Sequence, residues 1–369
     1  MSNKTFSLIS SFTPSEISEI IRFITFSSPD KAEIFCHLIK EYATVAKMKN
    51  KLDKRKVFGL LFPKECYSDI KLRLLQSDVN KELQQYIAYK SIDTKSEYYK
   101  GEQLKYMQSK GLKNLHHKTL ASYKRKLKEQ SELGQYQFQL ELFVTEQLYD
   151  VAMQQRKVGQ DETQNLHDVL DYGFIVRKLR YLCLTASQEK VYNINIDYGL
   201  KDEIIEFIEE RKMFHDPAIG LYYYCYLMLS QQKFFEPFSN YLREYGKLFS
   251  DEEHKELYTL AINFCIRSLN QGDLSFGNLG LGFYRKGIDL GILLNSGKIT
   301  RFTFRNMVTM AIRIGEFDMA RSFISQYQDL IETDDRQNML SFTSSLVLFA
   351  EGKYAEADKE LFKINFKDL

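Results

Sequence analysis

The chain has 369 residues, of which 44% are apolar and 27% are charged, and it contains only 5 Pro and 18 Gly. This composition excludes a disordered or fibrous protein and favours one large or two modest helical bodies. The net charge of +2 gives no general reason to expect nucleic acid or an anionic membrane as partner, although residues 1–130 carry 25 basic and 14 acidic groups whereas residues 131–369 carry 26 and 35.

Residues 1–95 are predicted to form a small helical unit. The Thr-Pro-Ser-Glu segment at residues 13–16 has the spacing of a capping box with Pro at the first helical position, so a helix should begin there. Apolar residues then recur at helical spacing in two stripes within residues 17–42, which predicts two helices that can pair. The polar residues 90–103 are the predicted linker, and we place the domain boundary within them, after residue 95.

Residues 105–129 form a basic stretch that is predicted to be one helix and that almost lacks acidic residues. A helix of this kind can lie along phosphates, where each neutralised charge adds a salt-dependent increment of affinity. The alternatives are a solvated face, or a surface that attracts the acidic second part of the chain. The candidate nucleic-acid-binding residues in this stretch are Lys118, Lys124, Arg125, Lys126 and Lys128.

The stretch between Pro63 and Pro217 contains no Pro and is mostly apolar at helical spacing, so long helices are expected. Residues 191–198 differ, because apolar and polar side chains alternate there as in a β-strand. A single strand would have no partner, so an extended loop is predicted.

A short pattern of glycine, aromatic residue and alanine recurs near the end of the chain. It occupies residues 315–320 and 352–357, whose glycines are 37 residues apart, and a weaker copy begins at Gly134. Gly can adopt the positive φ angle that ends the first helix of a hairpin, the aromatic residue can fill the wedge, and Ala lets the two helices cross closely. This spacing is typical of stacked helix hairpins.

These residues resemble tetratricopeptide repeats, most clearly in residues 295–369. The chain also resembles an uncharacterised bacterial family of helical-repeat proteins that has no assigned activity. This second resemblance is carried by segments such as residues 57–63, 72–77, 170–180 and 304–308. The resemblance implies an α-solenoid over residues 96–369 with a concave surface. Members of that family usually continue beyond the point that matches Leu369 with another repeat and a capping helix, so this chain is expected to be truncated or to lack its cap.

Two asparagines have equivalent positions relative to the turn glycines. Asn263 lies nine residues before Gly272, and Asn306 lies nine residues before Gly315. In tetratricopeptide repeats this position faces the concave groove, where the amide can bind a peptide backbone or a terminal carboxylate, and Arg305 adjoins one of the two. The alternative is that each Asn is bonded to the neighbouring hairpin and fixes the geometry of the repeat.

No motif predicts an enzyme, a cofactor or a metal site. Four glycines in residues 277–287 lack the Lys and Ser or Thr of a phosphate loop, so they indicate close helix contact instead. The six His have no metal-ligand spacing, and the five Cys are scattered among mostly apolar neighbours, as expected of free thiols in a reducing compartment.

The sequence therefore predicts an all-α, cytoplasmic, non-enzymatic protein that binds a protein or peptide in a concave groove. The alternative is a nucleic-acid-associated regulatory protein that uses residues 105–129. A membrane span is not expected, because the longest apolar run has 12 residues and a span needs about 20.

Overall fold

The structure is a computed structural model that describes residues 4–48, 52–92, 97–129, 132–156, 159–192, 194–331 and 336–364. Over these residues the protein is all-α, as predicted, with eighteen α-helices, no strand and two isolated β-bridges. The chain divides into two compact units, Met1–Glu102 and Gln103–Leu369. The predicted boundary after residue 95 falls within residues 93–96, which lie outside the described residues.

The described part of the first unit contains five complete helices around one apolar core. The capping box is present, since Thr13 Oγ1 accepts a hydrogen bond from the N–H of Glu16 (3.3 Å) and Glu16 Oε2 accepts one from the N–H of Thr13 (2.7 Å). Both predicted stripes are buried, with Ile20 and Tyr42 as examples. The helices are α1 (Lys4–Ser10), α2 (Pro14–Ser27), α3 (Ala32–Lys47), α4 (Lys54–Leu61) and α5 (Asp69–Lys90).

The next helices are long, as the lack of Pro predicts. They are α6 (Glu97–Ser109), which crosses the division between the units, α7 (Lys113–Glu129), α8 (Gln135–Gln154) and α9 (Gln160–Tyr192). The basic stretch is thus two helices and not one, because Gly111 adopts a φ of 69° and ends α6. The predicted loop at residues 191–198 is also shorter than expected: α9 includes Tyr192, and only residues 194–198 are described as neither helix nor strand.

The remaining helices are α10 (Lys201–Glu210), α11 (Pro217–Ser230), α12 (Phe235–Tyr245), α13 (Asp251–Asn270), α14 (Ser275–Asp289), α15 (Arg301–Arg313), α16 (Phe317–Tyr327), α17 (Arg336–Ala350) and α18 (Tyr354–Leu361). Consecutive helices pack as pairs, with contacts that join α8 to α9, α11 to α12, α13 to α14, α15 to α16, and α17 to α18. Further contacts join α9 to α11, α15 to both α14 and α17, and α16 to α17.

The turns inside the later pairs have the predicted glycine conformation. Gly272, Gly315 and Gly352 have φ angles of 100°, 79° and 79°, values that a residue with a side chain rarely adopts. Ala320 and Ala357 are buried, as expected for close helix crossings. The aromatic residue of the last copy behaves differently, because Tyr354 is 64% exposed and meets the exposed ring of Phe349 instead of filling a wedge. Gly134 also differs, since it precedes α8 and does not end a first helix.

Counting back from the turn glycine places the same positions of α13 and α15 in the core. The buried equivalents are Ala261 and Phe304, Phe264 and Met307, Cys265 and Val308, and Ser268 and Ala311. The glycines of α14 allow it to lie close to α15, because a Cβ atom at Gly277 would overlap Ile314 and one at Gly280 would lie 2.7 Å from Met310 Sδ. The described helices include none that is long and apolar enough to cross a bilayer.

Candidate functional site

A groove between α9 and α13 contains Asn263. Its cavity volume is about 440 Å³, and the lining combines two leucines with uncharged polar side chains and three charged groups. Helix α13 presents its side chains at helical spacing along one wall, and the last two turns of α9 form the other. The lining residues are Leu184, Ser187, Gln188, Tyr192, Glu252, Lys255, Glu256, Thr259, Leu260 and Asn263.

The carboxamide of Asn263 is exposed and makes no hydrogen bond to any residue that the structure describes. Two of the charged groups nearby are already paired, since Lys255 Nζ donates to Asn295 Oδ1 (2.7 Å) and Glu256 binds a guanidinium. Within the same described part, the exposed Glu252 carboxylate forms no ion pair. The groove therefore offers an amide and a carboxylate beside an apolar floor that includes Leu260.

Asn306 does not line this groove. It is half-buried on α15, beside Tyr284 of the preceding helix pair. Burial raises the pKa of Tyr284 to about 12, and the nearby Asn306 amide opposes part of that rise. Arg305 next to it is exposed, with its guanidinium carbon 6.0 Å from the ring centroid of Phe302. The two asparagines with equivalent sequence positions are thus in different environments.

A buried carboxylate, Glu253, follows the groove residue Glu252 on α13 and was not anticipated from the sequence. Its Oε1 accepts hydrogen bonds from the Tyr222 hydroxyl (2.8 Å) and from the N–H of Gln135 (3.1 Å), which is the first residue of α8. Its Oε2 accepts one from the Ser250 hydroxyl (3.0 Å). Burial raises the pKa of Tyr222 far above its usual value, and the Glu253 charge raises it further.

Arg180 of α9 joins this carboxylate to the groove. Its Nε and Nη2 bind the two carboxylate oxygens of Glu256 at 2.9 and 2.7 Å, and its Nη1 donates to the side chain of Gln135. Its Nε also lies 4.0 Å from Glu253 Oε1. Four separate helices therefore meet in one hydrogen-bonded network, which holds α9 and α13 at a fixed distance across the groove.

The predicted nucleic-acid-binding residues all lie on α7 and are exposed. At about 100° per residue, Lys118, Lys124, Arg125 and Lys128 fall within an arc of about 120°, whereas Lys126 lies about 80° outside that arc. We call these four side chains the basic face of α7. Only Arg125 of the four has an ion-pair partner among the described residues, Glu129 at 3.8 Å.

Acidic side chains border part of the basic face. Lys124 and Lys128 line a cavity of about 850 Å³ between α7, α8 and the start of α9, together with Glu141, Asp161 and Glu162. Burial raises the pKa of the Glu141 carboxyl. These carboxylates reduce the positive potential on that side of the helix, which weakens its attraction for phosphate.

Other candidate chemistry is sparse. Within the described ranges, no three His, Cys, Asp or Glu side chains are grouped so that they could hold a metal ion. All five thiols are free, with Cys66 exposed and the other four buried. No protein-family model, no curated protein and no solved structure matches the chain. A proposed function for this protein therefore rests on the side-chain geometry described above.

Proposed function

We propose that the protein is a non-enzymatic interaction module that binds an extended peptide segment of a partner protein in the groove between α9 and α13. The observation that carries this proposal is the exposed Asn263 amide, which has no partner among the described residues and lies over an apolar floor. An Asn side chain can donate to and accept from a peptide backbone at once, and so can bind an extended chain whatever its sequence.

The charge of the groove favours a peptide that carries a basic residue. Glu252 supplies an exposed carboxylate without an ion-pair partner among the described side chains, while the one lysine of the lining is occupied by Asn295. An opposite charge on the peptide would fix its direction and increase its association rate more than its affinity.

An α-solenoid of tetratricopeptide-like hairpins, similar to the bacterial helical-repeat family, is the architecture we propose for these pairs. The matched core positions of α13 and α15 and the three turn glycines support it. Such arrays present a rigid, extended surface, which suits scaffolding. Free thiols are typical of a reducing compartment, so we also propose that the protein is cytoplasmic.

The test is selection from a random peptide library, followed by measurement of each selected peptide's Kd. Asn263→Ala should weaken binding by about 5-fold, as expected for the loss of one hydrogen bond, without changing the unfolding midpoint. Asn270→Ala, at an exposed position outside the groove, is the matched control and should bind like the wild type. Asn306→Ala should instead leave Kd nearly unchanged, because Asn306 lies beside Tyr284 and outside the groove.

Recovery of no peptide, or of peptides that bind Asn263→Ala and the wild type equally well, would rule out this groove as the binding surface. An unfolding midpoint that falls together with the affinity in Asn263→Ala would assign that side chain a structural role.

A second candidate function, binding of nucleic acid, is favoured by the basic face of α7. Titration with a DNA or RNA duplex at several salt concentrations measures it, because each phosphate neutralised by Lys or Arg steepens the salt dependence. Lys118→Glu with Lys128→Glu should abolish binding, whereas Lys126→Glu, outside the face, should have a much smaller effect. Equal losses in these variants would show that the face is not used.

A further inference from the structure

A second concave surface lies between α12 and α14, over Tyr258 of α13. Its cavity volume is about 250 Å³, and it shares no lining residue with the groove that contains Asn263. Gly282 of α14 lines this surface, and a Cβ atom there would meet no other atom within 4 Å. We call this surface the α12–α14 cleft.

The charged groups of the α12–α14 cleft are both positive. Arg243 comes from α12 and Lys286 from α14, and no acidic side chain is among the lining residues. Neither forms an ion pair in the part of the chain that the structure describes, and Arg243 makes one hydrogen bond, from Nη2 to Asn240 Oδ1 (2.9 Å). Two cations without counterions at one cavity favour an anionic ligand.

Three neutral polar side chains also line the cleft. Tyr258 is 2% exposed, and its hydroxyl makes no hydrogen bond to a described residue. The side chains of Ser239 and Asn278, which also line the cleft, likewise have no hydrogen-bond partner among the described residues. Three neutral donors therefore accompany the two cations.

The rest of the lining is apolar. The Phe283 ring meets the Tyr258 ring edge to face, with centroids 5.6 Å apart, and Leu242 and Leu279 complete the wall. A cavity of this size holds a ring or a branched aliphatic chain with its polar end, and not a folded segment.

We propose that the α12–α14 cleft binds a carboxylate attached to a small apolar body. The carboxylate would lie between the Arg243 guanidinium and the Lys286 ammonium, with the Tyr258 hydroxyl as a further donor. The apolar body would pack on Phe283 and occupy the space that Gly282 leaves open. Two sources have this chemistry, a free aryl or alkyl carboxylic acid and the carboxyl end of a peptide.

The probe is N-acetyl-L-phenylalanine, titrated into the full chain and followed by calorimetry or ligand-observed NMR, with the uncharged N-acetyl-L-phenylalanine amide as control. We expect a Kd on the order of 1 mM for the acid, as its size allows, and binding at least 5-fold weaker for the amide. Arg243→Ala and Lys286→Ala should each weaken binding of N-acetyl-L-phenylalanine by about 5-fold or more, since each removes a charge-assisted contact.

Gly282 provides a steric test with its own matched control. Gly282→Leu should fill the cavity and abolish binding, whereas Gly282→Ala should leave most of the space and keep binding within about 2-fold. Both substitutions point a side chain into open space on a helix, so both variants should fold, and an unfolding curve checks this.

A hexapeptide that ends in Phe with a free carboxyl group distinguishes the two possible sources of the ligand, a free acid and a peptide end. If it binds at least 10-fold more tightly than N-acetyl-L-phenylalanine, the ligand is a peptide end; similar affinities indicate a free acid. The proposal is overturned if the acid does not bind, if its amide binds equally well, or if Gly282→Leu and the two charge-removing variants bind like the wild type.

Discussion

Glu253 shows how much one side chain can depend on distant parts of the chain. It is one of three consecutive acids at the start of α13, a position where carboxylates usually stay in water and favour the helix dipole. Instead it is 3% exposed and binds the first N–H of α8, contributed by a residue 118 positions earlier. Gly134 makes this approach possible, because a Cβ atom there would overlap the Glu253 carboxylate.

We expect Glu253→Gln to lower the free energy of unfolding by about 1–3 kcal/mol, because the amide nitrogen cannot accept the hydrogen bonds that the lost oxygen accepted. Urea unfolding followed by circular dichroism measures this. Glu252→Gln, at the exposed neighbouring position, is the matched control and should change stability by less than about 0.5 kcal/mol. Equal stability of both variants would contradict a structural role for the buried network.

At the scale of single helices, local sequence signals set where a helix begins and ends, and packing against neighbouring helices sets the environment of its side chains. The capping box begins α2, and glycines with positive φ end α13, α15 and α17, as the sequence predicts. Asn263 and Asn306 occupy the same position relative to those glycines, yet one is exposed and the other is half-buried beside Tyr284. The difference arises because α14 and α15 lie close together. Gly277 and Gly280 allow this approach, and the sequence indicated these glycines only as positions of close helix contact.

Ala357→Leu should destabilise the protein by about 1–3 kcal/mol, because Ala357 is 3% exposed where α18 packs on α17 and a larger side chain has no space. Ala355→Leu, two residues earlier on the exposed side of the same helix, is the control and should be nearly neutral. Thermal unfolding of the two variants provides the comparison. A neutral result for Ala357→Leu would contradict the predicted crossing at this position.

Across the whole molecule, each compact unit has its own apolar core. The core of the first unit includes Cys36, and the largest core of the second includes Cys183, Cys225 and Cys265. Burial raises the pKa of the Cys36 and Cys183 thiols, and it raises that of Cys265 to about 12. Because only the thiolate reacts readily, these thiols report on the integrity of the cores.

One thiol of the native protein should react rapidly with a disulfide reagent at pH 8, and all five should react in denaturant. The fast thiol is the exposed Cys66, so Cys66→Ser should remove the fast phase and leave the unfolding curve unchanged. Titration with an aromatic disulfide reagent, followed by absorbance, gives the number directly. Two or more fast thiols in native buffer would contradict the burial of the remaining four.

The amino-acid sequence by itself determined the all-α class, the buried stripes of α2 and α3 and the glycine turns near the carboxyl end, because helical spacing, caps and backbone angles act over a few residues. It also identified the basic stretch, although Gly111 divides it into two helices. Only the tertiary structure decided that Asn263 lines a groove, that Glu253 is buried, and that Arg243 and Lys286 border one cleft. These arrangements depend on which helices pack together, and such contacts join residues too far apart in the chain for any local pattern to specify them.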